Sequence, residues 1–514
     1  MFTRLHSISA QGLSLHPIEV EVDTGRGLPG MIIVGLPGKA IMESRDRVKT
    51  ALLNTSMPFP RARVTVNLAP GDLKKEGPLF DLPIALGVMI CTDFLPSSLD
   101  TDEYIFVGEL SLDGYLRPVH GVLGMALYAK EKSKKLMVPT SNYGEATLVD
   151  GLEVIPVNHL NDVFAYFQKT KSADELISLA KKAQAPVKES PSLQKDFSEV
   201  KGQAGAKRAM MIAAAGGHNL LMLGAPGSGK SMLAERFSGI LPPLSREEAL
   251  SVTRIYSVAG LLQHHTPLIT HRPFRSPHHT ISDVALIGGG SDAKPGEISL
   301  THNGTLFLDE LPEFKRSTLE VLRQPLESGM ITIGRSKQVS EYPANFTFLA
   351  AMNPCPCGYY GSQLRNCRCN STQIERYLAK LSGPLLDRID IHIEVTDQSP
   401  ALLRRMQKGG ASSEEMQARV LAAHQVQAMR YKGTDFNRNG DLRAGSVEKY
   451  CPLEEEGESF LIKAMEELGL STRAFHKILL VSRTIADLEE EESISTQHLS
   501  EALNYRVLDQ KIFN

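Results

Sequence analysis

Residues 224–231 read Gly-Ala-Pro-Gly-Ser-Gly-Lys-Ser, preceded by the apolar run Leu220, Leu221, Met222 and Leu223 and followed by a helix-prone stretch. A strand, a glycine-rich turn and a helix in that order form a phosphate-binding loop. The glycines Gly224, Gly227 and Gly229, spaced by Ala225, Pro226 and Ser228, let backbone N–H groups turn inward around phosphate oxygens. Lys230 reaches the β- and γ-phosphates, and the Ser231 hydroxyl ligates Mg²⁺. The pattern predicts a nucleoside triphosphate site, for ATP or GTP, inside an α/β domain.

The rest of the chain has to supply what that site drives. Its 514 residues suggest about three domains, and the 42% hydrophobic content is that of globular units with cores. No apolar stretch is long enough for a membrane span; the longest, Ala209–Ala215, is broken by Gly216, Gly217, His218 and Asn219. The expectation is a cytoplasmic protein with no membrane partner. With a net charge of −3 there is no global basic field, so contact with nucleic acid requires a local basic surface such as a lined pore.

Residues 1–168 alternate strand-like and helical runs, predicting a mixed α/β unit. Residues 169–196, with Pro186 and Pro191, read as a surface helix and linker. Strands and helices alternate again over 197–398, as in a nucleotide-binding parallel sheet, and 399–514 is helical. The acidic runs Glu454–Glu456 and Glu489–Glu492 are read as solvated helix surface.

Thr305-Leu306-Phe307-Leu308 predicts a buried strand ending in two carboxylates, Asp309 and Glu310. Behind a phosphate loop, Asp309 is the expected Mg²⁺ partner and Glu310 the group that polarises the attacking water. A further strand, Phe346–Met352, ends at Asn353, where a polar side chain meets the γ-phosphate. Arg388 lies on a turn between a helix and a strand and is the candidate arginine finger for a neighbouring subunit. Arg473, in the first turn of a C-terminal helix, is the candidate second sensor. For both arginines the alternative is a surface salt bridge.

Together with Asp-Phe-Ser-Glu-Val-Lys-Gly-Gln at 196–203, Phe-Arg-Ser-Pro-His-His at 274–279, Ala-Ala-Met-Asn-Pro at 350–354 and Ser-Gly-Pro-Leu-Leu-Asp-Arg at 382–388, these motifs resemble the magnesium-chelatase-like branch of AAA+ ATPases. Within it the chain resembles the YifB/ComM family over essentially its whole length. The resemblance implies an AAA+ core, a C-terminal helical lid, a ring, expected to be a hexamer, and a motor associated with branch migration of DNA during integration of transforming DNA.

Residues 327–343 read as a β-hairpin whose tip carries Arg335 and Lys337. Six such tips would line a channel with positive charge and grip single-stranded or branched DNA; the bland alternative is a soluble surface hairpin. The segment 272–296, with Ile287 and three glycines, resembles the pore-loop insert of the same branch. His278 and His279 within it are expected to point apart and to serve packing or the pore. Cys355, Cys357, Cys367 and Cys369 crowd within residues 355–369. Four thiolates suit structural Zn²⁺, with reduced thiols or a redox pair as the alternatives.

In the N-terminal unit, residues 75–83, 107–114 and 117–122 look like the proteolytic domain of Lon proteases. Leu79 stands where the nucleophilic serine would be, and no lysine follows the later glycine until Lys130, so proteolysis is not expected. Arg45, Arg47, Lys49, Arg61 and Arg63 offer a basic face or scattered surface charge. Competing functional readings are a metal-chelatase motor subunit and a protein-remodelling ATPase.

Overall fold

The computed structural model describes residues 1–183, 195–262, 267–290, 293–335, 338–362, 365–396 and 410–506, with the side chains of 335 and 338 left aside. Lys337 and residues 184–194 of the expected linker lie outside the described residues.

The first 183 residues are built on two main sheets, with a two-stranded ribbon of Glu109–Leu110 and Leu116–Arg117 beside them. Long alternating strands Phe2–Gln11 and Ser14–Gly25 form an antiparallel pair, to which Arg63–Ala69 and then Gly30–Val34 are added. Three shorter strands, Tyr104–Phe106, Lys135–Pro139 and Val154–Val157, form a parallel sheet. Between them the helix Asp81–Cys91 is buried on every side, which is why its sequence, Asp-Leu-Pro-Ile-Ala-Leu-Gly-Val-Met-Ile-Cys, shows no polar face. The helix Ala173–Ala183 is amphipathic and returns Leu176 and Ala180 to these cores.

The second unit is a five-stranded parallel sheet in the order Phe274–Arg275, Thr305–Leu308, Thr347–Met352, Leu220–Leu223, Ile391–Glu394. Its three central strands are wholly buried four- and six-residue apolar runs, as strands covered on both faces must be. Leu223 pairs with Met352 and Leu308 with Ala350, so the residues that follow, Gly224, Asn353 and Asp309, emerge at one edge of the sheet. One face packs against the Ala204–Gly216 helix and the C-terminal helices, which share its core through Val420, Ile478, Ile485 and Leu499. The other face carries the Met330–Arg335 and Gln338–Pro343 hairpin, anchored by Ile331, Ile333 and Tyr342.

The two units are joined by specific contacts. The buried Glu145 carboxylate accepts hydrogen bonds from Leu123 N and from Ser257 Oγ, the latter on the helix Arg246–Ala259 that follows the phosphate-loop helix. Arg254 donates to the Leu13 carbonyl at 2.6 Å. The turn between the first two strands rests on the hairpin: a Cβ on Gly12 would lie 2.8 Å from Tyr342 Oη.

Candidate nucleotide site and cysteine cluster

The Leu220–Leu223 strand delivers the loop, and the Lys230–Phe237 helix receives it. Gly227 and Gly229 have φ of 83° and 96°, the left-handed region that glycine alone enters without strain, and no heavy atom of the described residues lies within 4 Å of where their Cβ would be. Gly224 is required for another reason, since a Cβ there would meet the Val395 carbonyl oxygen at 2.4 Å. Ser228 Oγ is buried without a hydrogen-bond partner among the described residues. This concave row of backbone and hydroxyl donors at a helix N-terminus fits a phosphate chain.

Lys230 Nζ donates to the carbonyls of Gly224 and Ala225 at 2.7 and 2.9 Å, and to Asn353 Oδ1 at 3.2 Å. Ser231 Oγ donates to Asp309 Oδ2 at 2.6 Å. Five residues expected to act together, Lys230, Ser231, Asp309, Glu310 and Asn353, therefore gather where three strands end. The hydroxyl and carboxylate of Ser231 and Asp309 form the hard oxygen pair that suits Mg²⁺ beside a triphosphate. Glu310 holds φ of 52°, a left-handed conformation uncommon outside glycine, and this turns it away from the strand direction.

Two neighbours of this cluster lie in motifs noted in the sequence that assign them no role at the nucleotide site. Gln203, in the 196–203 signature, donates to the carbonyls of Ser228 and Thr396 at 3.3 and 2.8 Å and so ties the loop to the strand edge. His279 places Nδ1 3.6 Å from Glu310 Oε2. The expectation that His278 and His279 point apart is corrected: their ring centroids are 4.0 Å apart, the residues lying in a turn rather than in an extended strand.

Arg388 and Arg473 do not converge on Lys230. Arg388 Nη2 donates to Glu327 Oε2 at 2.5 Å, while Arg473 lies 3.9 Å from Glu327 and 3.8 Å from Asp387. Both arginines are thus held on one surface of the same subunit.

The hairpin is present with Arg335 paired in register to Gln338. Its second tip residue of interest, Lys337, is outside the described residues. The four cysteines come together as free thiols, with Sγ separations of 3.4 Å for Cys355–Cys357, 3.7 Å for Cys355–Cys367 and 3.6 Å for Cys357–Cys367. Cys369 completes a group whose sulfurs all lie within 4.8 Å of one another. Tetrahedral zinc with bonds of about 2.3 Å sets sulfurs about 3.8 Å apart, so the donor set fits that ion.

The basic face expected on the N-terminal unit is reduced. Arg47 is bonded to the buried carboxylate of Asp81 at 2.8 Å and has a structural role, and Arg45 pairs with Asp46. Leu79 lines a cleft of about 860 Å³ together with Pro78, His120 and Gly121, and Lys130 turns away to the Asp150 carbonyl.

Three family models match. One described as magnesium chelatase, subunit ChlI, covers residues 196–403; subunit ChlI of Mg-chelatase covers 20–142; and the ChlI C-terminal model covers 410–506. The chain is 43% identical to YifB of Salmonella typhimurium over 99% of its own length and 98% of that protein. It is 43% identical to the competence protein ComM of Haemophilus influenzae, over 98% and 97% of the two chains. Lon protease 2 of Bacillus subtilis is 28% identical over 123 residues, 23% of this chain and 21% of that one. Among the described residues no helix is long and apolar enough to cross a membrane.

Proposed function

The chain belongs to the YifB/ComM family of magnesium-chelatase-like AAA+ proteins, and from that premise we propose that it is an ATP-driven, ring-forming DNA motor. The reading is a cytoplasmic hexamer that acts as a helicase and promotes branch migration in homologous recombination or natural transformation. The observation that carries it is the hairpin Met330–Pro343, inserted between the acid-pair strand and the Asn353 strand, with Arg335 and Lys337 at its tip in the sequence. The similarity to a protein named for competence supports the same load.

In this account the phosphate loop binds the triphosphate, with Lys230 leaving its loop carbonyls for the β- and γ-phosphates. Ser231 and Asp309 would hold Mg²⁺, which neutralises phosphate charge when bound. Glu310 orients a water molecule and takes its proton as the oxygen attacks the γ-phosphorus; the bond to the β–γ bridging oxygen breaks, giving ADP and phosphate. Asn353 senses the γ-phosphate, Arg388 is the arginine finger for a neighbouring subunit, and Arg473 is the second sensor arginine. Cys355, Cys357, Cys367 and Cys369 would hold a structural Zn²⁺ that braces the loop following Asn353. The N-terminal unit is a Lon-like scaffold without protease activity, because the Leu79 side chain has no nucleophilic atom.

A second reading, a motor subunit for metal insertion into a porphyrin, is favoured by the ChlI family models. One comparison separates the two: ATP turnover and strand displacement with forked and four-way-junction DNA, against turnover with a porphyrin and with an unfolded protein. Stimulation and displacement by DNA alone are expected. Stimulation by the porphyrin alone would overturn the DNA reading.

A further inference from the structure

The base of the hairpin, the candidate arginine finger Arg388 and the candidate sensor Arg473 meet at one carboxylate. Glu327 lies in the last turn of the helix Arg323–Ser328, which stops at Gly329 with φ of 66° and leads directly into the Met330–Arg335 strand. The Gly329 carbonyl accepts a hydrogen bond from Ala344 N at 2.7 Å, so the two ends of the hairpin are closed just beside Glu327. A tilt of the hairpin about its base therefore moves this carboxylate.

The backbone of Arg388, by contrast, is fixed. Asn219 donates through Nδ2 to the Arg388 carbonyl at 3.0 Å, donates through its backbone N–H to Asp390 at 2.9 Å, and accepts from Phe348 N at 2.9 Å. Those bonds tie the arginine's root to the Thr347–Met352 strand and to the start of the Leu220–Leu223 strand. Its side chain is only 11% exposed, donating to Pro384 O at 2.8 Å and to Glu327, whose own side chain is 63% exposed. Arg388 Nε is buried and has no hydrogen-bond partner among the described residues. An arginine that serves the next subunit's γ-phosphate has to leave this position, and a half-solvated ion pair is weak enough to be broken reversibly.

We propose that Glu327 is a latch on Arg388 within the subunit: it holds the guanidinium while the hairpin is at rest and releases it to the neighbouring nucleotide when DNA displaces the hairpin. Glu327 is then a positioning residue that links occupancy of the pore to hydrolysis next door. Arg473 shares the latch, because Glu327 faces both guanidiniums, while Asp387 faces that of Arg473 at 3.8 Å. The bond to Arg388 also holds the Glu327 carboxyl below its ordinary pKa, so the latch carries its charge at neutral pH. The inference rests on the ring-motor reading for its trigger and on the geometry for the latch itself.

The test is steady-state ATP turnover of wild type, Glu327→Gln, Glu327→Ala, Arg388→Ala and the Glu327→Gln/Arg388→Ala pair, each with and without single-stranded DNA. Turnover of Glu327→Gln without DNA is expected to rise about two- to fivefold, the range open to an exposed ion pair, and its stimulation by DNA to fall in proportion. The rise should vanish in the double variant. DNA-free turnover at or below wild type in both Glu327 variants, or a rise that survives removal of Arg388, overturns the latch. If DNA fails to stimulate wild type while the Arg388-dependent rise is seen, the latch stands and the DNA trigger falls.

Discussion

Gly358 in the cysteine loop packs against Pro226 in the phosphate loop, so closely that a Cβ on the glycine would lie 2.5 Å from the proline Cδ. Gly358 also has φ of 84°, so two constraints select glycine there. Through this contact the cysteine cluster buttresses the loop that carries Lys230.

Replacing Gly358 by alanine should weaken ATP binding about tenfold, combining backbone strain with displacement of Pro226. Gly361→Ala is the control: its φ is 77°, but nothing among the described residues lies within 4 Å of its Cβ position, so strain acts there without the push on the loop. Titration with a fluorescent ATP analogue should separate the two variants. Equal affinities would show that the Gly358–Pro226 contact does not govern the loop.

Metal analysis of the purified protein should find one zinc per chain, held by the single four-cysteine group. Cys367→Ser should lose it, and because the cluster abuts the phosphate loop the same variant should lose ATP affinity and melt at a lower temperature. Metal-free protein with full affinity would remove zinc from the account.

The nucleotide site was legible because its parts are local. A strand, its terminal residue and the turn that follows are contiguous in sequence, so Leu220–Ser231, Leu306–Glu310 and Phe348–Asn353 could be recognised separately and then meet at one sheet edge. The same holds for the hairpin and for the cysteine group. The ion pair of Glu327 with Arg388 was not legible, since it joins residues 61 apart through tertiary packing. Nor was the approach of His279 to Glu310, which depends on a turn after the edge strand rather than on any periodicity. Arg47 shows the opposite error. A charge in a polar helix pattern suggests solvent, yet a buried Asp81 across the fold claims it.

Stability should depend on pH through the buried His218 and His302 and the half-buried His424. Burial pushes His218, His302 and His424 down to about 4. Their folded pKa lies below the unfolded value of about 6.5, so the unfolded chain takes up protons first as the pH falls. The contribution of each is complete above about pH 6.5 and is lost progressively toward pH 4; at pH 5 each costs about 2 kcal/mol. Calorimetry should show the melting temperature falling between pH 7 and pH 5. A rise over that interval would contradict these assignments.

In the proposed motor, hydrolysis at Lys230 and Glu310 is coupled to DNA held by the hairpin. The most direct test is ATP turnover, with and without forked DNA, in wild type, Glu310→Gln and the Arg335→Ala/Lys337→Ala pair. Glu310→Gln should bind ATP and lose at least about 100-fold in turnover. The hairpin variant should keep wild-type turnover in the absence of DNA and lose its stimulation by DNA. Full stimulation of the hairpin variant would show that the hairpin does not couple DNA to hydrolysis.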